Sequence, residues 1–319
     1  MNTQLIDNLR ILADYERINK EPFKVRAYEK VIDSIELYDK KIEDIEDIKL
    51  LKGVGKKIED KIVEFLATGN IAEVENVIKD PKYILGSKLK SIYGVGPAKI
   101  TELMTKIKDF EELREHPELL NDKQRIGLKY YDQMNIRIPM AEGKQHYKSV
   151  KNMLDASIEF EFVGSFRRKN KDMGDIDILI KDKGKGKGIV LKDIIKRFVD
   201  EKYVIEKLAL GNNKFMGLCR LGSVSSVGSG GSGGSGTPAR RIDILLADPS
   251  YYYFALLYFT GSYNFNIYMR KVALSKGLSL SEYGFKDSKG NLMDTTDIIH
   301  SEEDIFAYLN IPYTEPHKR

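Results

Sequence analysis

The stretch that decides the fold is Gly174-Asp175-Ile176-Asp177-Ile178-Leu179-Ile180. Its isoleucines alternate with two aspartates and then run into a continuous apolar segment, which predicts a buried β-strand over 176–180. Side chains two positions apart on a strand point to the same face, so we expect Asp175 and Asp177 to lie side by side. A single pair of this kind also occurs on strands whose acids face solvent, and the pair alone leaves both interpretations open.

A second strand pattern supplies a third carboxylate. The segment 241–246 reads Arg-Ile-Asp-Ile-Leu-Leu and places Asp243 among apolar residues. Three carboxylates that converge on one point are what a site for two Mg²⁺ ions needs. Upstream, the segment 164–168 reads Gly-Ser-Phe-Arg-Arg and follows another predicted strand; its amides, hydroxyl and guanidinium groups can bind phosphate oxygens.

Strand patterns continue on both sides of this region. We predict strands over 158–163, 214–221 and 241–247, and a helix near 146–154, so the chain beyond Pro139 is of the α/β or α+β type. The residues before Pro139 show only helical periodicity. The segment 222–238, GSVSSVGSGGSGGSGTP, has no residue that could anchor a core, and we expect a flexible Gly/Ser loop between two strands. Its GSG repetition resembles an engineered insert.

Composition limits the remaining possibilities. One cysteine and four histidines exclude an internal disulfide and a Cys/His zinc site, so a catalytic metal would need oxygen ligands. The chain has no long apolar run and no signal-peptide pattern, and we expect a soluble intracellular monomer without membrane contact. The net charge of +4 is only weak support for a polyanionic partner.

The helical region contains an internal repeat. Segments 51–58 and 92–100 share an apolar-x-Gly-Val-Gly frame, and each leads into a predicted helix. Glycines at this position let backbone N–H groups approach a phosphate. One copy is most often an ordinary turn. Two copies flanked by lysines resemble the helix–hairpin–helix motif, which holds a DNA strand by its backbone without reading its sequence.

The whole pattern resembles DNA polymerase beta and its relatives in the X family, over essentially the full length of the chain. The Gly-Ser and Gly-Asp-x-Asp motifs match the nucleotidyltransferase signature of that family. So do the segments Leu-Ala-Thr-Gly at 66–69, Gln-Arg-Ile-Gly-Leu-Lys-Tyr at 124–130, Leu-Tyr-Phe-Thr-Gly-Ser at 257–262 and Ile-Pro-Tyr-Thr-Glu-Pro at 311–316.

The resemblance implies an α+β multidomain fold: an all-α helix–hairpin–helix domain, then a nucleotidyltransferase-type palm with a mixed sheet flanked by helical subdomains. The expected parts are a 5′-deoxyribose-phosphate (dRP) lyase domain with the first motif (1–80), a DNA-binding subdomain with the second (81–138), the palm (139–247, with the loop 222–238) and a nucleotide-selection subdomain (248–319). No additional N-terminal interaction domain or C-terminal phosphoesterase domain is expected.

The implied function is DNA-directed DNA synthesis at short gaps in base excision repair. A two-metal reaction would transfer a nucleotide from a dNTP to the primer 3′-hydroxyl, and a Schiff-base lysine would provide the lyase activity. One alternative is a template-independent terminal transferase, against which the Tyr258-Phe259 pair argues. The other is a non-catalytic DNA-end-binding scaffold, which would lack a carboxylate of the triad.

The resemblance also implies individual roles. The catalytic residues are Asp175, Asp177 and Asp243, which bind the metals, and the Schiff-base Lys61. The dNTP-binding residues are Arg137, Ser165, Arg168, Gly174, Tyr258, Phe259, Gly261 and Asn266. The DNA-binding residues are Lys24, Tyr28, Gly53, Gly55, Lys57, Gly94, Gly96, Lys99, Arg241 and Arg270. Backbone carbonyls expected to bind a monovalent cation are those of Lys49, Leu51, Val54, Lys90, Ile92 and Val95.

The expected cofactors are two Mg²⁺ ions, with Mn²⁺ as a substitute, and Na⁺ or K⁺ at the helix–hairpin–helix motifs. The expected partners are gapped or nicked double-stranded DNA, dNTPs and a repair ligase or nuclease. We expect a nuclear location if the source is a eukaryote, and a virion or cytoplasmic factory if it is a virus.

Four positions depart from the polymerase beta pattern. Glu73 replaces a basic residue, which predicts weaker 5′-phosphate binding or a slower lyase step. Tyr263 and Ile267 replace charged residues near the nucleotide and the template, which points to altered selectivity. Leu245 replaces an arginine of the closing switch, which puts that form of gating in doubt.

Overall fold

The computed structural model of the chain describes residues 2–38, 40–183, 188, 190–222 and 237–319. It divides into two compact units, Met1–Lys129 and Tyr130–Arg319. The predicted Gly/Ser loop 222–238 lies outside the described residues except at positions 222, 237 and 238. No helix among the described residues is long and apolar enough to cross a membrane.

The described part of the first unit is helical, as its periodicity predicts. Its α-helices are α1 (Thr3–Ile18), α2 (Pro22–Leu37), α3 (Ile45–Leu50), α4 (Lys56–Thr68), α5 (Ala72–Val77), α6 (Pro81–Lys90), α7 (Pro97–Leu103), α8 (Phe110–Glu115) and α9 (Asp122–Lys129). Apolar residues at three- and four-residue spacing on α1, α2 and α4 meet in one core that includes Leu9, Val31 and Ile62.

The second unit is of the α+β type. Its helices are α10 (Tyr131–Met134), α11 (Met140–Met153), α12 (Gly164–Arg167), α13 (Leu191–Asp200), α14 (Tyr252–Thr260), α15 (Tyr263–Ser275) and α16 (Glu302–Tyr308). Its strands are β1 (Ile138–Pro139), β2 (Phe160–Phe162), β3 (Asp172–Met173), β4 (Ile176–Lys181), β5 (Val204–Leu210), β6 (Lys214–Cys219), β7 (Arg240–Ala247), β8 (Ser279–Ser281) and β9 (Gly284–Lys286).

The main sheet of the described residues has the strand order β2-β4-β7-β6-β5. It is mixed, because β4 and β7 are parallel while the other neighbouring pairs are antiparallel. One face, with Ile176, Ile178 and Ile244, packs into a core with α13. On the other face, Leu179 and Leu245 pack against α14. Both faces of the sheet are therefore covered beyond its aspartates, which lie toward one end of β4 and β7.

Several local expectations needed correction. Strand β5 was not predicted, and α11 begins at Met140, six residues earlier than the predicted helix. The pairing of β8 with β9 forms the C-terminal hairpin. The sequence also predicts a short hairpin around 287–292. The chain turns back on itself there, since Lys286 and Leu292 form a bridge and the Asp287 amide donates to the Asn291 carbonyl.

Candidate active site

Strand register places the acidic residues of the second unit together. In the parallel pair β4–β7, Asp177 is the direct partner of Asp243, and Asp175 lies just before β4 begins. One carboxylate oxygen from each of the three aspartates lies within 4.8 Å of the other two. The three side chains are partly buried. This set of oxygen donors suits a hard divalent cation and could hold one.

The electrostatics of the triad also favour a bound cation. Burial, followed by the charges of Asp175 and Asp243, raises the pKa of Asp177 well above the usual aspartate range. Burial also raises the pKa of Asp243, although the Arg241 guanidinium opposes that shift. Arg241 lies 3.1 Å from an Asp175 oxygen and 3.9 Å from an Asp243 oxygen. Arg168 and Lys214 oppose these shifts as well, but burial and the repulsion between carboxylates outweigh all three cations, so bound divalent ions would stabilise the ionised triad.

The first residue of α12, Gly164, lies directly over the triad. Gly164 has φ of +55°, and a Cβ at this position would lie 2.1 Å from Asp177 Oδ2. Only glycine therefore lets the backbone approach this carboxylate. The next residue, Ser165, accepts a 3.0 Å hydrogen bond from Arg168, whose guanidinium also donates to the Thr260 carbonyl.

A second arginine approaches from the start of the palm. Arg137 donates from Nε and from an Nη to Asp172 Oδ1, at 2.9 and 2.7 Å. A Cβ on Gly174 would lie 3.1 Å from Arg137, so these two residues are neighbours. In the described ranges, Arg137 makes no hydrogen bond or ion pair to Ser165 or Arg168, and the three predicted triphosphate ligands do not form one connected group.

The predicted nucleotide residues of α14 and α15 form a group of their own. Asn266 donates to the Tyr258 carbonyl at 2.8 Å, and the Arg270 guanidinium lies 5.4 Å from the centre of the Tyr258 ring. The Phe259 ring packs edge-on to Tyr258. Gly261 has φ of +66°, and a Cβ there would lie 3.2 Å from Arg168, which connects this group to α12.

The positions that depart from the family pattern differ in their burial. Leu245 is buried and packs under α14, so the closing-switch position is part of the apolar core. Tyr263, by contrast, is 71% exposed at the start of α15.

One buried network was not anticipated from the sequence. Arg167 donates to Thr260 Oγ1 at 2.8 Å and to Glu302 at 2.5 Å, and Glu302 also accepts from Arg319 at 2.7 Å. Glu302 is only 3% exposed, so its charge depends on these two arginines. The network joins α12, which carries Ser165, to α14 and α16. Its only sequence signal is Arg167 in the Gly-Ser-Phe-Arg-Arg segment, since nothing marks Glu302.

Three of the predicted lyase residues of the first unit, Lys61, Lys24 and Tyr28, lie near Glu73. Lys57 and Lys61 are four residues apart on α4, and Lys24 and Tyr28 are four apart on α2. Lys61 Nζ lies 2.6 Å from a carboxylate oxygen of Glu73 on α5. The departure at position 73 therefore acts directly on the predicted Schiff-base lysine.

The two Gly-Val-Gly segments form matching hairpins. Gly53 and Gly94 both have left-handed φ values, +86° and +79°, while Gly55 and Gly96 are the N-caps of α4 and α7. The Gly94 carbonyl accepts a 2.8 Å hydrogen bond from Gln124, and the Ile92 carbonyl accepts from the Val95 amide. The arrangement α3–hairpin–α4 and α6–hairpin–α7 exposes N-terminal amides suited to a phosphate backbone. The cation-binding carbonyls stay a prediction.

A mixed sheet with three carboxylates on neighbouring parallel strands, preceded by a Gly-Ser turn, defines a nucleotidyltransferase-type palm. Comparison with family models agrees along most of the chain. The models that match are a helix–hairpin–helix domain (residues 1–71), the fingers domain of DNA polymerase lambda (87–135), the DNA polymerase beta palm (137–249) and the DNA polymerase beta thumb (255–319).

Curated relatives give the same result. The chain is 29% identical to DNA polymerase lambda of Rattus norvegicus, 28% to that of Arabidopsis thaliana and 25% to the type-X family DNA polymerase Pol4 of Schizosaccharomyces pombe. These alignments cover 99–100% of this chain but only 56%, 62% and 64% of the relatives' lengths. The chain belongs to the X family of DNA polymerases, in its beta-like branch.

Proposed function

We propose that this chain is a DNA-directed DNA polymerase that fills short gaps during base excision repair. Its reaction would be in-line attack of a primer 3′-hydroxyl on the α-phosphorus of a dNTP. The O3′–P bond forms as the bond to pyrophosphate breaks. The observation that carries the proposal is the convergence of Asp175, Asp177 and Asp243 on adjacent parallel strands.

Divalent cations, Mg²⁺ or in its place Mn²⁺, would be held by these three aspartates and would supply positive charge to the triphosphate and to the primer hydroxyl. Asp243 would accept the hydroxyl proton, and the closeness of its carboxylate to those of Asp175 and Asp177 supports this role. Ser165 and Arg168 would bind phosphate oxygens, and Tyr258 and Phe259 would contact the sugar. Asn266 would meet the base edge and Arg270 the template.

The same proposal gives the first unit a lyase activity. The Lys61 amine would attack C1′ of a 5′-deoxyribose phosphate, and loss of water would form the Schiff base. Removal of a C2′ proton would then break the C3′–O bond and free the DNA with a 5′-phosphate. Water would hydrolyse the remaining imine, which releases the unsaturated sugar phosphate and restores the Lys61 amine. Lys24, Tyr28 and Lys57 would support the phosphate. The convergence of these groups on α2 and α4 supports this assignment.

We also propose the four-part division at 80/81, 138/139 and 247/248, with the two hairpins holding the DNA backbone. Na⁺ or K⁺ would bind at the hairpin carbonyls.

Filling a one-nucleotide gap leaves a nick, so the reaction requires a DNA ligase to complete repair. For a eukaryotic source we propose a nuclear location.

The test uses a one-nucleotide gapped duplex that carries a 5′-deoxyribose phosphate. Wild-type protein should insert the templated nucleotide and be trapped on the DNA by borohydride. Asp243→Ala should lose insertion and keep trapping, while Lys61→Ala should do the reverse. A wild-type protein with neither activity would refute the proposal. Extension of a single-stranded primer without template would instead favour the terminal transferase.

A further inference from the structure

The predicted 5′-end pocket of the first unit contains acidic as well as basic groups. The basic groups are Lys24 on α2 and Lys57 and Lys61 on α4, and Tyr28 of α2 is buried in the core of the same unit. Glu73 contacts Lys61 and its charge also acts on Lys24 and Tyr28, so these three groups lie near one another.

Two of the three lysines are paired with carboxylates of the protein. Besides the 2.6 Å contact between Lys61 and Glu73, Lys24 Nζ donates to both oxygens of Glu16, at 3.2 and 3.1 Å. The described residues include no ion pair for Lys57. The Lys61 and Glu16 side chains are only 19% and 12% exposed, so packing holds one partner of each pair in place.

The position of Glu73 is fixed by the fold. Its neighbours Ile71 and Val74 are buried in the core of the first unit. The Ala72 amide donates to Glu64 on α4 at 3.0 Å, which anchors the start of α5 to the helix that carries Lys61. The carboxylate of Glu73 is therefore held over the pocket by its backbone and does not depend on a flexible loop.

The carboxylates of Glu73 and Glu16 both affect the ionisation of Tyr28 and Lys24. Burial raises the pKa of Tyr28, and the charges of Glu73 and Glu16 raise it further. The pKa of Lys24 is raised chiefly by its hydrogen bond to Glu16, with a contribution from Glu73. The three lysines share this place with Glu73, Glu16 and, beside Lys24, Glu21, which leaves little net positive charge where a phosphate dianion would have to bind.

We propose that Glu73, together with Glu16, determines which 5′ ends this pocket accepts: it binds the downstream strand of a gap with little preference for a 5′-phosphate over a 5′-hydroxyl. A phosphate can bond to Lys61 or Lys24 only by displacing a carboxylate, and any carboxylate that stays repels it. A 5′-hydroxyl is uncharged, so it neither has to displace a carboxylate nor is repelled by one. The inference rests on the proposed gap-filling function and specifies its substrate.

The experiment measures binding of the full chain to two one-nucleotide gapped duplexes that differ only in the downstream 5′ end, phosphate or hydroxyl. Fluorescence anisotropy without dNTP gives the ratio of the two Kd values. For the wild type we expect a ratio within about threefold of unity. Glu73→Gln should favour the phosphate by roughly tenfold, and Glu16→Gln with Glu73→Gln by more.

Glu75→Gln is the matched control. Glu75 lies on the same helix but accepts from Asn70 and forms no ion pair with a lysine among the residues that the structure describes, so its removal should leave the ratio unchanged. A second variant, Glu73→Lys, should favour the phosphate at least as strongly as Glu73→Gln. It tests the same charge if one substitution disturbs α5.

Two results would overturn the inference. One is a wild-type preference for the 5′-phosphate of tenfold or more. The other is a Glu73→Gln variant that binds both ends more tightly by the same factor, since that would be a general charge effect. Failure of the proposed function is seen separately, as the absence of nucleotide insertion on either duplex, because the binding ratio needs no catalysis.

Discussion

Two groups of charged side chains carry the two proposed activities, and they are compensated in opposite ways. The aspartate triad of the palm brings like charges together, and burial, followed by those charges, raises the pKa of Asp177 although Arg241 and Arg168 oppose the shift. In the lysine group on α2 and α4, Lys24 forms an ion pair with Glu16, and Lys61 forms one with Glu73. The triad therefore has the charge and oxygen donors to hold cations from solution, whereas the lysine group already carries its own counter-charges before any ligand arrives.

The largest expected effect comes from the triad. Asp177→Asn removes one negative charge from the most crowded position, so it should lower single-nucleotide insertion by about a thousandfold or more. Because the substitution relieves repulsion, the free energy of unfolding should not fall. Rapid-quench insertion assays and urea denaturation check the two parts. Insertion within tenfold of the wild-type rate would show that the triad is not the site of synthesis.

The lysine group can be tested with a substitution that keeps its charge balance. Lys61→Arg retains a cation for Glu73, but a guanidinium does not deprotonate to form a Schiff base. Borohydride trapping should fall by about a hundredfold while binding to gapped DNA stays near the wild-type value. Lys56→Arg, on an exposed lysine paired with Glu59 and Asp60, is the control. Normal trapping by Lys61→Arg would exclude Lys61 as the nucleophile.

A smaller effect is expected where the backbone meets the triad. In Gly164→Ala the new Cβ would displace the Asp177 carboxylate, and insertion should fall by about tenfold or more. Gly290→Ala is matched for backbone strain, because Gly290 has φ of +85° and nothing within 4 Å of a Cβ. That variant should lose only a little stability. Equal losses of insertion in both variants would mean that backbone strain, and not the contact with Asp177, is responsible.

The smallest effect concerns a carboxylate in the palm that is fully paired. Glu142 accepts from Arg240 at 2.7 and 2.8 Å. Burial alone would raise the pKa of Glu142, but His146 and Arg240 lower it to about 2. Its contribution to stability is therefore present above the ordinary glutamate pKa and is lost as pH falls from about 4.5 toward about 2.

In Glu142→Gln, the free energy of unfolding at neutral pH should be lower by about 1–3 kcal/mol. Denaturant titrations at pH 6 and at about pH 3 should show a smaller gap between variant and wild type at the lower pH. A gap that is the same at both values would contradict the pairing.

Much of the fold could be predicted from local sequence. The edges of β4 and β7 were predicted to within one residue, because apolar alternation marks both strands. Strand β5 was missed because its register shifts between Val204 and Glu206 and between Lys207 and Ala209, which interrupts the two-residue period.

The site was less predictable than the fold. The three aspartates could be expected to meet because two strand motifs each present an acid. The contact between Arg167 and Glu302 joins residues 135 positions apart and has no pattern of its own. The sequence marked Glu73 as unusual, but only the packing of α5 on α4 brings its carboxylate to Lys61.

The most direct test of the account is a measurement of Mn²⁺ binding by electron paramagnetic resonance. The protein would be bound to a one-nucleotide gapped duplex with a dideoxy-terminated primer and the matching dNTP. Wild-type protein should bind about one to two more Mn²⁺ ions per chain than the Asp177→Asn/Asp243→Asn variant at equal DNA occupancy, and Lys61→Ala should match the wild type. Equal Mn²⁺ binding by the wild type and the double aspartate variant would contradict the assignment of the triad as the metal site.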